Sequence, residues 1–162
     1  MSNPSIRFNN ANRSFYNTAK KRVDEYFKEN NLSRYGNASM VIKSIFMFTL
    51  YLTPFVLLIT NTFDNLWFQS LLCVIMGFGM SGIGLSIMHD ANHGSWSKNK
   101  TVNKIFGMTA DMLGVSSSNW INQHNKLHHT YTNIYEHDED VDGKGLFRFT
   151  KDAPRKKLHK FQ

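Results

Sequence analysis

Five of the seven histidines fall into two short clusters, His89-Asp90-Ala91-Asn92-His93 and His124-Asn125-Lys126-Leu127-His128-His129. Neutral imidazole binds zinc, copper, nickel and iron alike, so the pattern points to a metal site without choosing the ion. On an α-helix, histidines four apart share a face, and His89 with His93 and His124 with His128 would each present paired rings to one ion. His129, turned about 100° from His128, would reach a neighbouring ion along a different line. A lone histidine needs no more than one hydrogen bond to account for it. Two clusters about thirty residues apart, the first directly after an apolar run, favour a metal site at a membrane surface.

The elements that must position these rings follow from the charge pattern. No charged residue occurs from Ser44 to Phe63, nor from Asn65 to Met88. Each run suffices to cross a hydrocarbon core of about 30 Å, which takes ~20 helical residues. Only Asn61-Thr62-Phe63-Asp64-Asn65 connects them, which predicts a tight transmembrane hairpin rather than the buried hairpin of a soluble protein. Pro54 lies inside the first run, a placement membrane helices tolerate. All 19 lysines and arginines lie outside the hairpin, eight up to Lys43 and eleven after Met88, so the positive-inside rule puts both flanks in the cytoplasm. The net charge of +7 is spread along both flanks without a nucleic-acid-binding motif and reads as topology signal and contact to anionic lipid headgroups. Cys73, the single cysteine, excludes an internal disulfide and a cysteine-based zinc site.

The polar first forty residues show no cleavable signal, so the first span is expected to direct its own insertion. Phe15, Ala19, Val23 and Phe27 recur every four residues, as in an amphipathic helix that lies on a membrane or packs on a cytosolic domain. Residues 30–37 read as a loop, with Ser39 a candidate cap for the first span. In the second span, the small pairs Gly77 with Ser81 and Gly82 with Ser86 are expected to let the helices approach closely. Residues 94–101 read as a polar connector and 105–115 as one helix half-sunk in the membrane surface. Asp111 on it is either a solvent-facing carboxylate or a partner that orients a ligand imidazole. Trp120 suits the headgroup region. Asp138, Asp140, Asp142 and Gly143 imitate the opening of a calcium loop, but Phe149 stands where the bidentate glutamate belongs, so a solvated acidic turn is expected, with His137 a candidate support for the metal site.

His-Asp-Ala-Asn-His-Gly after a membrane hairpin, followed by Trp-Ile-Asn-Gln-His-Asn-Lys-Leu-His-His-Thr-Tyr-Thr-Asn, resembles the first and second histidine boxes of the membrane fatty acid desaturases. Gly94-Ser95-Trp96-Ser97-Lys98-Asn99 and His137-Asp138-Glu139-Asp140 are similar to bacterial members that act on acyl-CoA or acyl-lipids, of linoleoyl-CoA desaturase type. The second box has three spacer residues where many members have two. The resemblance implies that His89, His93, His124, His128 and His129 are ligands of two non-haem Fe2+ ions on the cytoplasmic side of a bacterial inner membrane. It further implies O2 as co-substrate, a fatty acyl-CoA or acyl-lipid substrate, and a separate ferredoxin or cytochrome b5-type electron donor. A mid-chain methylene has no acidic proton, so acid–base catalysis cannot begin its dehydrogenation and a redox metal is required.

The family's third box, histidine or glutamine followed by two histidines after further spans, has no match here, and His159 stands alone. The resemblance therefore implies the amino-terminal part of a longer desaturase, one that alone binds iron weakly and does not turn over. A membrane di-iron hydroxylase, or a non-catalytic metal-binding hairpin, is the alternative. The expected fold is all-α, a transmembrane hairpin (44–88) between a cytosolic amino-terminal segment (1–43) and cytosolic helices carrying the histidine boxes (89–162).

Overall fold

The computed structural model describes Ile6, Phe8 and residues 13–162; the rest of the expected amino-terminal segment 1–43 lies outside the described residues. These residues are helical, with no strand among them beyond one isolated bridge between Lys144 and Phe147. The chain divides into two compact units, residues 1–35 and 36–162. In the first, helix α1 (Arg13–Glu29) takes up the four-residue apolar repeat, and none of its side chains is buried. Arg34 bonds to Asp24, and its guanidinium lies 5.4 Å from the centre of the Phe27 ring.

The second unit is built on a helical hairpin. Helix α2 (Ala38–Ile59) starts six residues before the uncharged run. Its cap is Asn37, whose side chain accepts the Met40 N–H at 3.0 Å, and the expected cap Ser39 lies inside the first turn. The turn relies on asparagine at both ends. Asn61 takes the left-handed conformation (φ 46°) that asparagine tolerates, and Asn65 caps helix α3 (Leu66–Gly82) by accepting from the N–H groups of Trp67 and Phe68. Gln69 then closes the loop by donating to Asn61 Oδ1 and the Phe63 carbonyl.

Helix α3 continues through a π-wound segment, Ile83–Met88, into the short helix α4 (His89–Asn92). Together they make one rod of 27 residues with a mean hydropathy of 2.0; that of α2 is 1.9. Within this chain 11% of the apolar window in α2 and 28% of that in the second rod are buried. Both are long and apolar enough to cross a membrane.

The close approach between the rods lies at Gly82, a member of one expected pair, and at Gly79, which was in neither, while Gly77 of the other expected pair takes no part. A β-carbon on Gly79 would stand 2.5 Å from the Tyr51 nitrogen, and one on Gly82 would collide with the Met47 sulfur, whereas Gly77 meets nothing within 4 Å. Pro54 has no N–H to offer the Leu50 carbonyl one turn earlier. Gly79 packs against that same stretch of backbone at Leu50 and Tyr51.

The core of the second unit lies at the end of the hairpin, where Ile83, Ile87, Met88 and Ala91 pack with Ala110. The expected single helix over 105–115 is two pieces, α5 (Lys100–Gly107) and α6 (Thr109–Met112), followed by a left-handed Gly114 (φ 83°). The break has a steric cause. The Asn92 side chain occupies the space a β-carbon on Gly107 would fill, so α5 is drawn onto the end of the second rod. Trp96 stacks on Phe106 (4.1 Å), and its N–H reaches Ser44 of α2 at 3.4 Å.

Candidate metal centre

The first pair of histidines stands at the end of the second rod, His89 opening α4 and His93 closing it, with ring centroids 4.5 Å apart. The second set is carried by helix α7 (Ser117–Trp120), a π-wound segment (Ile121–His128) and the one-turn helix α8 (His129–Tyr131). Ser116 caps α7 through the Asn119 N–H.

The π winding changes the expected geometry of the second cluster. With i→i+5 rather than i→i+4 bonding, positions four and five residues on both return to the side of the first. His128 stacks on His124 at 5.0 Å, and His129, expected to reach a neighbouring ion along a different line, lies 5.1 Å from His124 and 4.9 Å from His93. His124 is the hub, 5.0 Å from His89 and 5.2 Å from His93. The structure thus brings all five sequence-expected rings into one cluster. Ligand atoms of His89, His93 and His124 lie within 4.8 Å of one another, and so do those of His124, His128 and Asp140.

Carboxylates hold three of these rings from behind. His89 Nδ1 faces Asp90 at 3.0 Å, His124 Nδ1 faces Asp140 at 2.5 Å, and His128 Nδ1 faces both oxygens of Asp138 at 2.9 and 3.0 Å. A carboxylate opposite Nδ1 selects the tautomer protonated there and leaves the Nε2 lone pair for a metal. Asp140 also lies 3.7 Å from His128 Nδ1, so its place is with the supporting groups behind the rings. Asp138 is 1% exposed and accepts the Asn133 and Asp140 N–H groups as well. Burial pushes its carboxyl up, but the bonds from His128 and the two N–H groups outweigh that and hold the pKa below the usual value. The expected solvated acidic turn is therefore a correction. Two of its carboxylates face imidazoles, and the third, Asp142, binds Lys144.

His93 is held uncharged. Partial burial, together with its neighbours His89, His124 and His129, lowers its pKa from 6.5 to about 4, against the opposing pull of Asp90. A neutral ring is the form a metal requires. The donors present therefore fit an imidazole-bound transition ion: five clustered rings, three with their tautomer set and one kept neutral.

Of the remaining candidates, Asp111 orients no imidazole; it accepts the Ser117 N–H at 3.1 Å, and these bonds to Ser117 lower its pKa. His137 packs against Tyr131 (5.4 Å), outside the ring cluster. His159 is buried and ties the carboxy-terminal turn together, accepting the Lys156 N–H and meeting the Gly145 carbonyl at 3.2 Å. Sequence reasoning missed Asp90, Asp138 and Asp140 as imidazole partners; the signal for the last two was a run of four acids within 138–142, where Asp138 and Asp140 lie ten and sixteen residues beyond the rings they support. Trp120 does more than sit at a headgroup level. Its ring stacks on His124 at 4.4 Å and stands 5.7 Å from His89. Beside it, Met80, Gly84, Leu85, Met88, Ala110 and Leu113 line an apolar cleft of about 440 Å³.

Comparison with known proteins points to one family. Residues 65–161 match the model of the fatty acid desaturase family. An sn-1 linoleoyl-lipid 6-desaturase of Arthrospira platensis is 36% identical over 91% of this chain and 40% of its own length. A protein of the same name from Synechocystis sp. is 35% identical over 93% of this chain and 42% of its own. An acyl-lipid (8-3)-desaturase of Physcomitrium patens is 34% identical over 93% of this chain and 32% of its own. The chain thus spans about two fifths of the length of the first two relatives. No solved structure matches it. Two membrane-length helices, paired histidine clusters at the end of one of them, and this similarity along nearly its whole length lead to one conclusion: the chain belongs to the fatty acid desaturase family.

Proposed function

We propose that the chain carries the metal-binding part of a desaturase that introduces a double bond into a lipid-linked or CoA-linked acyl chain, with His89, His93, His124, His128 and His129 holding two iron ions. The observation that carries this reading is the convergence of all five rings beside an apolar cleft at the end of a membrane-length helix. Iron bound there supplies one-electron chemistry with O2, which no side chain offers.

The residues themselves do the rest. Asp90, Asp138 and Asp140 fix the orientation of three ligand rings, and His93 stays neutral and ready to bind. The cleft between Met80 and Leu113 accepts a hydrocarbon segment and keeps water from it, and Trp120 forms the wall between that cleft and His124. Because the reacting carbons carry no polar handle, position along the cleft must select them. In this reading the rings face the cytoplasm from a bacterial inner membrane, a side that the positive flanks support, and take electrons from a ferredoxin or cytochrome b5-type donor. In this reading residues 1–43 are a cytoplasmic segment, 44–88 the membrane hairpin and 89–162 the ring-bearing region.

The test is product analysis. Expressed as the amino-terminal part of a full-length desaturase, the chain should give cell lipids a new double bond with no oxygen retained in the acyl chain, and His124→Ala should abolish it, whereas the 162 residues alone should not turn over. A hydroxylated product would replace this reading with a hydroxylase. Iron content unchanged by His124→Ala would remove the metal centre from it.

A further inference from the structure

We propose that Asn125 is a positioning residue that fixes the spacing between the two histidine-bearing segments; for its consequence in metal binding, the proposal rests on the metal-centre reading above. The Asn125 side-chain N–H donates to the Asn92 carbonyl at 2.9 Å. This hydrogen bond joins the first histidine segment directly to the second. It lies at the hub, since Asn125 follows His124 and Asn92 precedes His93, and these two rings are 5.2 Å apart.

Each end of the clamp is itself anchored. Asn92 is seated against Gly107 of α5, where any side chain would collide with it. Asn125 is held in the π-wound segment between His124 and His128. The orientation of the amide is fixed as well, because turning it over would set its oxygen against the Asn92 carbonyl oxygen. In the orientation observed, Oδ1 is buried without a hydrogen-bond partner. A residue retained only for stability gains little from a carboxamide with one satisfied and one unsatisfied half. The amide is better explained by what its donor holds in place, the separation of His93 from His124.

The experiment compares the unsubstituted chain with Asn125→Ala and the isosteric Asn125→Asp, which replaces the donor by an acceptor. Hydrogen exchange of the metal-free chain reads the clamp directly. Residues 121–131 should exchange faster in both variants while α2 and α3 keep their protection. Co2+ titration, followed by its visible absorption, reads the consequence: affinity should fall about 10- to 100-fold with a shifted spectrum, as when a group that orients a metal ligand is lost. Thermal unfolding should stay close to that of the unsubstituted chain.

Unchanged exchange at 121–131 in both variants overturns the proposal. So does a loss of affinity matched by general unfolding, which would make the role merely structural. If the unsubstituted chain takes up no Co2+ while the variants still loosen 121–131, the clamp stands and the metal-centre reading falls.

Discussion

Replacing Asp138 separates two roles of one carboxylate. It accepts from His128 Nδ1 and from the N–H groups of Asn133 (2.8 Å) and Asp140 (3.0 Å). Hydrogen bonds to a charged acceptor are each worth about 1.5–3 kcal/mol, and the thin cover of one turn favours the lower end. Asp138→Ala should therefore weaken the 133–140 turn by about 3–4 kcal/mol, read as faster hydrogen exchange there. Asp138→Asn keeps the volume and one acceptor oxygen, so the turn should lose only about 1–2 kcal/mol. Its amide would, however, present a donor to His128 Nδ1, move the ring proton to Nε2 and remove the lone pair meant for the metal. Co2+ affinity should then fall about 10- to 100-fold in the Asn variant despite a nearly intact turn. Wild-type affinity in Asp138→Asn would refute the argument that this carboxylate sets the tautomer. The pH dependence has a definite sign. Because the folded-state pKa is lowered, the carboxylate's contribution is complete above the unfolded-state value and disappears as pH falls through the folded one. Wild type and Asp138→Ala should converge in acid, not in alkali.

Three further outcomes follow from the same geometry. His93 should titrate in the metal-free chain near its lowered pKa of about 4, visible by NMR of labelled histidine. The unfolded ring binds its proton at a higher pH than the folded one, so His93 lowers stability as pH falls from 6.5 toward that value; a normal titration near 6.5 would refute the crowding described. Gly79→Leu should separate the hairpin helices while Gly77→Leu leaves them packed, since one β-carbon meets the Tyr51 backbone and the other meets nothing. Cross-linking between cysteines placed on α2 and α3 distinguishes them, and equal effects would refute the packing face assigned here. Under the proposed function, Trp120→Ala in a full-length desaturase removes the wall between the apolar cleft and His124 and should change which acyl carbons react more than it changes metal content. Loss of metal with unchanged product would assign the ring to the metal site alone.

Residue type and spacing carried much of this site. Charge-free runs located both rods, and the five histidines stood out because imidazoles seldom gather by chance beside a membrane span. The carboxylates were harder to read. Asp138 and Asp140 reach His128 and His124 only because the chain reverses through left-handed residues at Asn133 (φ 63°) and Glu136 (φ 70°). The division of the expected helix over 105–115 was equally hidden, since it depends on Asn92 meeting Gly107 from a different element. The four-residue rule found Gly82 but not Gly79, and pointed to Gly77, which meets nothing. Gly79 and Gly82 are three apart, and which side of a uniformly apolar helix meets its neighbour is decided by shape.

The π winding of residues 121–128 bears on how the second histidine box can vary in length. In an α-helix, rings at positions i, i+3 and i+4 return to one side; in a π-wound segment, positions i, i+4 and i+5 do so. A box with one additional spacer residue can therefore show a metal the same three rings, provided the surplus residue is absorbed as a change of helical pitch rather than extruded as a loop. His124, His128 and His129 illustrate that compensation. Two-spacer and three-spacer boxes become two windings of a single ligand geometry, and an insertion that would scramble the register of an ordinary helix leaves this one reading in phase.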